Sequence, residues 1–460
     1  MMRLISRLLA FLFFMVLVPK SLSAYDFKEG GLCYNFNDDG KSVTMTYENL
    51  IMFAFDAPAP TEKGYIGNII IPENVKHNGK TYKVTAIDRG TFSCNVELIR
   101  VAIPNSVKTI GKETFMNCPR LKEVILPPSL TEISDYMFSE SGLQTIIIPE
   151  NVKAIGNYAF ASSSLKSISI PSSVKTIGQS AFSGCRWMNE ANMSNNVESI
   201  GEAAFSICTS LKTINLPPAL KEIGAKAFYE CGSIKEITIP SSVSNIGAGA
   251  FSNCHGLTSM IVQEGNKQYD SRNGCNAIIE TASSTLIAGC DATVIPPSVT
   301  AIGDEAFVGC NGFTSIEIPT SVKTIGSQAF FYCKNIKNLK IPESVTTIEE
   351  RAFCGCDSLE TVEISNSVQS IGYGVFLHDD LIKTVIIGSG VKSIGGWAFK
   401  GLDAVTSITS NIQDVTSVKM GKDVFDEIDM KACTLYVPRG TAASYKEAPQ
   451  WKDFKNIVEQ

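Results

Sequence analysis

The side chains with the most chemical potential in this 460-residue chain are fourteen cysteines, three histidines and 46 acidic residues. Cysteine and histidine bind metal ions or act as nucleophile and base, and paired carboxylates hold hard cations or transfer protons. The histidines, His77, His255 and His378, lie far apart, and no cysteine pair has zinc-site spacing. No phosphate-binding glycine loop and no hydrolase or metalloprotease motif is present. The sequence therefore predicts neither an enzyme nor a cofactor or metal site.

Two acidic pairs, Glu349-Glu350 and Asp379-Asp380, are the remaining candidates for binding a cation. A calcium site takes several oxygen ligands, and a pair of adjacent carboxylates outside a larger cluster supplies too few of them. We therefore expect both pairs to lie in solvated turns.

The cysteines belong to an internal repeat. Eight of them follow a phenylalanine by three residues: Cys118, Cys185, Cys208, Cys231, Cys254, Cys310, Cys333 and Cys356. The phenylalanines belong to a pattern of isoleucine, four residues and phenylalanine that occurs thirteen times between Phe92 and Phe399. Eleven of its twelve intervals are 22 or 23 residues, and the remaining one is 56. Such a period indicates a solenoid, because a unit this short cannot bury its own apolar face and must stack on its neighbours.

Residues 165–185 show which elements each coil must contain. Isoleucines alternate with polar residues at 168–170, as in a half-buried strand, and Pro171 ends the strand because it has no amide hydrogen to donate. A second extended segment follows at 174–177, and Phe182 then lies in a stretch with helical spacing. We predict a mainly β solenoid of about 23-residue coils, each with a short strand, an extended segment and a short helical or 3₁₀ turn.

Stacked coils place equivalent residues about 4.8 Å apart, in columns along the solenoid. One buried column is expected to contain Phe115, Phe182, Phe205, Phe228, Phe251, Phe307 and Phe330. The eight cysteines of the repeat are expected to form a second column, as small packing residues rather than as a disulfide framework. Cys275 and Cys290 lie off the column, within the 56-residue interval, and are the candidates for a disulfide.

The remaining segments suggest the domain organisation. A basic start, an apolar run and small residues before position 25 indicate a secretory signal peptide. We predict a signal peptide at 1–24, an N-terminal β cap at 25–83, the solenoid at 84–410 with an insert at about 256–300, and a C-terminal cap at 411–460. Without the signal, 37 Lys and Arg face 46 Asp and Glu, a net charge of −9, which argues against a nucleic-acid partner. No later segment is apolar for long enough to span a membrane.

One residue of each first strand should point away from the core, because it lies between two inward-facing residues. These outward residues form a stripe that begins apolar and becomes small and polar: Ile125, Ile147, Ser169, Asn192, Asn215 and Thr238. The stripe is the predicted binding surface, with Ile125 and Ile147 as its contact patch. The alternative is that these are ordinary β-branched strand residues without a binding role.

Lysines form two further columns on the predicted surface. One of them lies in the second extended segment and contains Lys108, Lys153, Lys175, Lys221, Lys323 and Lys392. Such lysines either keep the protein soluble and discourage edge pairing, or attract anionic partners such as sulfated glycans.

The unit L-x-x-I-x-I-P-x-x-V-x-x-I-G-x-x-A-F-x-x-C resembles the leucine-rich repeat of BspA-like surface and secreted proteins of the Bacteroidetes type. Three copies depart from it, with Asp88, Ser134 and Glu349 in place of the glycine. The resemblance implies a leucine-rich-repeat solenoid capped at both ends. It also implies a non-enzymatic, adhesin-like protein that recognises host extracellular-matrix or cell-surface proteins, for example fibronectin or fibrinogen.

Two other functions stay open from the sequence: binding of a glycan or polysaccharide, and a structural role in the cell envelope. Exposed aromatic rows would favour sugar binding, but the three tryptophans, Trp187, Trp397 and Trp451, do not form one. The signal peptide predicts export. We expect a secreted or cell-surface protein, with the periplasm as the alternative.

Overall fold

The computed structural model describes residues 25–47 and 65–460. These residues form a solenoid of about 16 turns with a spacing of about 23 residues, mostly β and with little helix. The predicted fold class is confirmed. The predicted signal peptide at 1–24 and residues 48–64 of the predicted N-terminal cap lie outside the described residues.

Each coil contributes up to two short strands, and equivalent strands of successive coils pair in parallel. We call the two resulting stacks the first and the second ladder. The first ladder, which is divided into four sections, consists of Gly67–Ile70, Leu98–Ala102, Glu123–Ile125; Ser167–Ile170, Glu190–Met193, Thr213–Ile214; Glu236–Ile239, Ser259–Val262; and Asn338–Lys340, Thr361–Glu363, Thr384–Ile387, Ser407–Ser410, Thr434–Val437, Asn456–Glu459.

The second ladder runs along another side of the coils and uses strands of two residues. It consists of Thr109–Ile110, Glu132–Ile133, Ala154–Ile155, Thr176–Ile177, Ser199–Ile200, Glu222–Ile223, Asn245–Ile246, Ala301–Ile302, Thr324–Ile325, Thr347–Ile348, Ser370–Ile371, Ser393–Ile394 and Lys419–Met420. Its isoleucines point into the core, as Ile177 and Ile200 show with 1% exposure each. The alternation of apolar and polar residues in the sequence therefore fixes the register of both ladders.

The phenylalanine-containing turn closes the third side of the coil. Ser183 N–H donates to Ser180 O at 3.1 Å within the coil, whereas Phe182 N–H donates to Ala204 O at 2.8 Å in the next coil. Ser180 has a left-handed backbone, with φ of 51°, and its N–H donates to Glu202 O at 2.8 Å. A left-handed residue cannot continue a helix. The segment predicted as a helical or 3₁₀ turn is therefore a run of single turns whose amides alternate between their own coil and the next.

The repeat glycine is explained by close approach of the preceding coil. A Cβ atom on Gly178 would lie 2.8 Å from both Asn157 N and Gly156 C, closer than real side chains come to backbone. Ser134 replaces this glycine in one coil, and its Oγ donates to Ile110 O at 3.0 Å. The substitution is therefore accompanied by a hydrogen bond to the backbone of the preceding coil.

The buried phenylalanines stack face to face through most of the core. From Phe92 to Phe251, consecutive ring centroids lie 5.1–5.5 Å apart, and from Phe307 to Phe425 they lie 5.0–5.8 Å apart. Offset or tilted aromatic stacks of this spacing add to the apolar area that each ring buries. The buried apolar residues form two clusters, which we call the N-terminal core, between Phe27 and Cys290, and the C-terminal core, between Cys275 and Phe454.

A β-hairpin within the 56-residue interval separates the two cores. Its strands are Ala277–Glu280 and Thr285–Gly289, preceded by Tyr269–Asp270 and the 3₁₀ turn Arg272–Gly274. The preceding strand, Ser259–Val262, still pairs in parallel with Glu236–Ile239, so this part of the interval continues the first ladder.

Gly289 is the residue through which the hairpin enters the phenylalanine stack. Its N–H donates to Ala306 O at 2.8 Å, whereas in a regular coil Phe228 N–H donates to the equivalent carbonyl of Ala250. Its Cα lies so close to the Phe307 ring that a Cβ atom would overlap the ring. The hairpin therefore places bare backbone where a regular coil would place another phenylalanine ring.

Both ends of the stack are covered. The N-terminal sheet contains Phe27–Glu29, Leu32–Phe36, Ser42–Thr46, Asn74–His77 and Lys80–Ile87, the last of which pairs with Thr109–Ile110 of the second ladder. At the C-terminal end, the 3₁₀ turns Val415–Ser417 and Trp451–Asp453 and the α-helix Ala442–Glu447 cover the core. Tyr65 lies 5.2 Å from the Phe92 ring, and Trp451 lies 4.8 Å from the Phe425 ring, edge to face. Aromatic residues thus close the stack at both ends.

Candidate functional site

All six residues of the predicted stripe are exposed: Ile125, Ile147, Ser169, Asn192, Asn215 and Thr238. Ile125, Ser169, Asn192 and Thr238 lie in strands of the first ladder, whereas Ile147 and Asn215 lie in irregular segments at the equivalent positions of their coils. The ladder register brings neighbours together, since Ser169 is opposite Asn192, and Ala102 is opposite Ile125. The paired positions therefore lie side by side on the outside of successive coils, as a shared binding surface requires.

The start of the stripe is an exposed apolar patch. Ile125 is 42% exposed and Ile147, in the next coil, is 88% exposed. The patch extends further than the sequence indicated, because Ile70 is 73% exposed and lies opposite Ala102. We call Ile70, Ala102, Ile125 and Ile147 the apolar patch. The signal for Ile70 was present in Ile70-Ile71-Pro72, which repeats the strand ending Ile147-Ile148-Pro149.

The rest of the stripe changes character along the stack. Thr238 lies opposite Ile261, a 49% exposed residue that sequence reasoning missed because it falls in the 56-residue interval. Beyond the hairpin the same face carries charge, with Lys340 Nζ and Glu363 Oε1 at 3.2 Å. A surface ion pair of this kind contributes little to stability. The two ends of the face therefore differ in what they offer to a partner.

The cysteine column is buried, and its thiols tie neighbouring coils together. The Sγ atoms of Cys208, Cys231 and Cys333 donate to phenylalanine carbonyls of the preceding coil at 3.1–3.2 Å. Cys118, Cys185, Cys254 and Cys356 repeat this contact at 3.0–3.4 Å, and Cys310 makes a longer one to Gly289 O. Burial raises the pKa of Cys185 to about 11 and the pKa of Cys118 to about 12. Such thiols are poor nucleophiles, because the thiolate is the reactive form.

Cys275 and Cys290, the candidates for a disulfide, are separate thiols in the structure. Cys275 packs in the C-terminal core and Cys290 in the N-terminal core. Their Sγ atoms face different backbone carbonyls, Ala277 O at 3.8 Å and Asn276 O at 3.4 Å. The two thiols are therefore not joined in this structure, and each packs in a different cluster.

The histidines do not converge on a common site. The His77 ring lies 4.5 Å from Phe27 in the N-terminal sheet, and His255 Nδ1 is 2.9 Å from Gly309 O at the hairpin. Across residues 25–47 and 65–460, no group of three or more His, Cys, Asp and Glu residues is arranged to hold a metal ion. His378 is next to the acidic pair Asp379-Asp380, of which one member is buried.

Asp379 corrects the expectation that this acidic pair lies in a solvated turn. It follows Phe376 by three residues and so occupies the position of the cysteine column, where it is fully buried. Its Oδ1 accepts a hydrogen bond from Cys356 N–H at 2.6 Å, and its Oδ2 has no partner within the described ranges. Burial, with a smaller contribution from Asp357 and Asp380, raises the pKa of this carboxyl well above its usual range. The interval from Phe376 was the sequence signal that could have revealed it.

A family model for a BspA type leucine rich repeat region, with six copies, matches residues 85–206, 187–284 and 288–430 of the chain. No curated protein matches the chain. Within the described ranges, no helix has the length and apolar character needed to cross a bilayer.

Several solved structures share the fold. A leucine rich cell surface protein from Faecalibacterium prausnitzii is 27% identical, with a TM-score of 0.62, over 85% of this chain and 95% of that protein. A leucine-rich repeat protein from Bacteroides ovatus is 25% identical, with a TM-score of 0.60, over 95% of this chain and 100% of that protein. The pneumococcal vaccine antigen PcpA is 18% identical, with a TM-score of 0.51, over 96% of this chain and 100% of that protein, a similarity that concerns the fold alone.

Proposed function

Because the chain belongs to the BspA-type leucine-rich-repeat family, we propose that it is a non-enzymatic exported protein that binds a protein partner through the first ladder. Repeat proteins of this kind are typically binding scaffolds rather than enzymes. The partner class is a host extracellular-matrix or cell-surface protein, and recognition of it would give the chain an adhesin-like role. Secretion or association with the cell surface follows from the same proposal.

The apolar patch is the observation that carries this proposal. Ile147 is 88% exposed and Ile70 is 73% exposed, and both lie on the outer face of the solenoid near its N-terminal end. Single exposed apolar residues are common, but several on successive coils of one face form a contiguous patch. Protein interfaces have apolar centres and polar rims, and the polar residues Ser169 and Asn192 border this patch on the next coils.

The electrostatics of the patch also favour a protein partner. Two charge pairs join coils in this part of the solenoid: Arg100 Nε lies 2.8 Å from Glu123 Oε2, and Arg120 Nη1 lies 2.9 Å from Glu97 Oε2. Paired charges attract a polyanion weakly, so burial of the apolar side chains is the main driving force that this face offers.

The test is solid-phase binding of residues 25–460 to immobilised fibronectin, fibrinogen and collagen. The double variant Ile125→Asp/Ile147→Asp should lose binding by at least about tenfold, because two charges would be buried at the centre of the interface. A partner bound equally well by this variant and by the unchanged protein would place the site elsewhere and refute the proposal for the patch.

Val294→Asp/Leu381→Asp is the matched control. Val294 and Leu381 are 74% and 51% exposed and lie outside the stripe, so the control removes similar apolar surface and adds the same charge. It should bind as the unchanged protein does. An equal loss in both double variants would attribute the effect to net charge, and no binding to any matrix protein would favour a structural role in the cell envelope.

A further inference from the structure

A groove crosses four coils of the C-terminal half, at the corner where the first ladder turns into the second. Its volume is about 440 Å³, within the range of small-molecule sites. Lys323 and Lys392 lie at its ends, and Thr346, Asn366 and Gln369 lie between them. The lining has no aromatic side chain. It therefore offers hydrogen-bond donors and positive charge rather than a stacking platform.

The repeat places the two lysines at a defined separation. The amide of Thr346 donates to Lys323 O at 2.9 Å, that of Gln369 to Thr346 O at 2.8 Å, and that of Lys392 to Gln369 O at 2.9 Å. The two lysines are thus three coils apart, or roughly 14 Å at the strand spacing. A ligand that bridges them must be extended along the solenoid.

Hydroxyl groups that elsewhere join the coils are released in this groove. Ser321 Oγ donates to Val299 O at 2.6 Å, and the equivalent hydroxyls of Ser129, Ser173 and Ser242 do the same in their own coils. Ser344 occupies this position in the groove, but its buried Oγ has no partner in the described part of the chain, as is also true of Ser106 near the N-terminal cap. A buried hydroxyl without a partner costs free energy, so the coils at Ser344 lack a stabilising contact that their equivalents make.

Gly390 lines one end of the groove. Residues at its position in other coils are mostly serine, but a Cβ atom here would overlap Asn366 O. The Asn366 side chain in turn accepts a hydrogen bond from Ser389 N–H at 3.0 Å. The close approach of the two coils thus requires glycine at this position.

The lysines of the groove differ from their counterparts before the hairpin. Glu198 binds Lys221 at 2.6 Å and Lys175 at 3.1 Å, and these hydrogen bonds lower the pKa of Glu198. Within residues 25–47 and 65–460, no carboxylate forms an ion pair with Lys323, and Lys392 Nζ donates to the neutral Gln369 Oε1 at 3.2 Å. Lys175 and Lys221 are therefore neutralised by a shared carboxylate, whereas Lys323 and Lys392 remain available to a ligand.

We propose that this groove binds an acidic oligosaccharide, with its sulfate or carboxylate groups on Lys323 and Lys392 and its hydroxyls on the polar residues between them. Charge-assisted hydrogen bonds supply the affinity at the two ends, and the serine, threonine and amide groups suit a hydroxyl-rich chain. Glu343 opposes this binding, because its carboxylate also lines the groove and accepts a hydrogen bond from Ser367 Oγ at 2.9 Å.

Calorimetric titration of residues 25–460 with a sulfated heparin oligosaccharide, a polygalacturonate oligosaccharide and neutral dextran tests this proposal. We expect binding of at least one acidic oligosaccharide, weaker binding at high salt and none of dextran. Lys323→Ala/Lys392→Ala should lose affinity by about tenfold or more. Glu343→Gln should gain affinity, because it removes the one negative charge of the lining.

Lys175→Ala/Lys221→Ala is the matched control, since it removes two lysines of the same column that already have a carboxylate partner. It should bind within about twofold of the unchanged protein. Equal losses of affinity in the two double variants would show that the polyanion is attracted by net charge alone. That result would contradict the proposed binding site in the groove. Absence of binding to both acidic oligosaccharides would also overturn it. Retention of sugar binding in Ile125→Asp/Ile147→Asp would separate this groove from the apolar patch.

Discussion

The coils before and after the hairpin have nearly the same core but different surfaces. Phenylalanine rings stack at 5.2 Å between Phe92 and Phe115 and at 5.1 Å between Phe330 and Phe353, and cysteines repeat the same thiol contacts in both halves. Outside, the first half carries the apolar patch and lysines tied to Glu198, whereas the second half carries the polar groove. Stacking constrains only inward positions, so the outward positions of each coil are free to specialise.

The largest effect is expected from breaking the phenylalanine stack on one side of the hairpin. Phe205→Ala should lower the free energy of unfolding by about 3–5 kcal/mol, because it leaves a cavity between two rings. Nearest-neighbour stacking predicts that the loss is felt first by the coils before the hairpin. Hydrogen exchange followed by mass spectrometry would measure which coils lose protection.

Phe330→Ala is the counterpart in the second half and should expose mainly the coils after the hairpin. The same loss of protection on both sides of the hairpin in either variant would show that the two cores unfold as one unit. That result would contradict the separation into an N-terminal and a C-terminal core.

The second-largest effect on stability is expected at Gly289, where the hairpin meets the phenylalanine stack. Gly289→Val should destabilise the protein by about 1–3 kcal/mol, because its side chain would collide with the Phe307 ring. Gly232→Val is the control, since a Cβ atom at Gly232 would meet nothing within 4 Å. Thermal unfolding would compare the two variants. Equal melting temperatures would mean that the hairpin can move away from the stack without cost.

A smaller and pH-dependent effect is expected at Asp379, the acid in the cysteine column of the second half. Its pKa is raised in the folded state, so the folded protein holds a proton that the unfolded chain has released. Stability from this group is therefore present below the unfolded pKa, about 3.9, and falls by about 1.4 kcal/mol per pH unit as pH rises toward the folded pKa.

Asp379→Asn removes this titration and retains an acceptor for Cys356 N–H. It should be more stable than the unchanged protein at neutral and alkaline pH, by an amount that grows with pH. Urea unfolding at several pH values would measure the difference, with the exposed Asp403→Asn as control. A difference that does not vary with pH would mean that Asp379 is not held as a neutral acid.

The smallest effect on stability is expected at the apolar patch. Ile147→Asp should change the free energy of unfolding by no more than about 0.5 kcal/mol, because its side chain is 88% exposed, and Ile125→Asp should cost about 1 kcal/mol, because Ile125 is 42% exposed. Urea unfolding of the single variants would measure this. A loss above about 2 kcal/mol in either would show that the patch is part of the core and would weaken its assignment as a binding surface.

Much of the fold could be predicted because the repeat fixes which residues face inward. The spacing from Ile177 to Phe182 occurs thirteen times, and stacking then leaves few alternatives. The left-handed backbone at Ser180 could not be predicted, because its cost is offset by hydrogen bonds to a neighbouring coil. The contact of Gly289 with the phenylalanine stack could not be predicted from the sequence either, because it depends on the three-dimensional path of the hairpin.

The outward stripe was predictable in position but not in extent. Alternation along each strand identified Ile125 and Ile147, whereas Ile70 lies before the first full repeat and has no phenylalanine to set its phase. The groove at Lys323 and Lys392 could not be predicted from the lysine column, because the column is the same in both halves. Whether a lysine is neutralised depends on an acid one coil away, such as Glu198 beside Lys221.

The regular interval between coils means that the number of coils sets the distance between any two surface sites along the solenoid. The apolar patch and the polar groove lie on opposite sides of the hairpin, and the number of coils between them sets their separation. Removal of one complete coil, such as residues 176–198, would bring Ser199 to the position of Thr176, so every column would continue in register. The separation between the patch and the groove would then be shorter by about 4.8 Å. Gain or loss of whole repeats is therefore a way for related chains to match the distance between two attachment points on a large partner while the core stays unchanged.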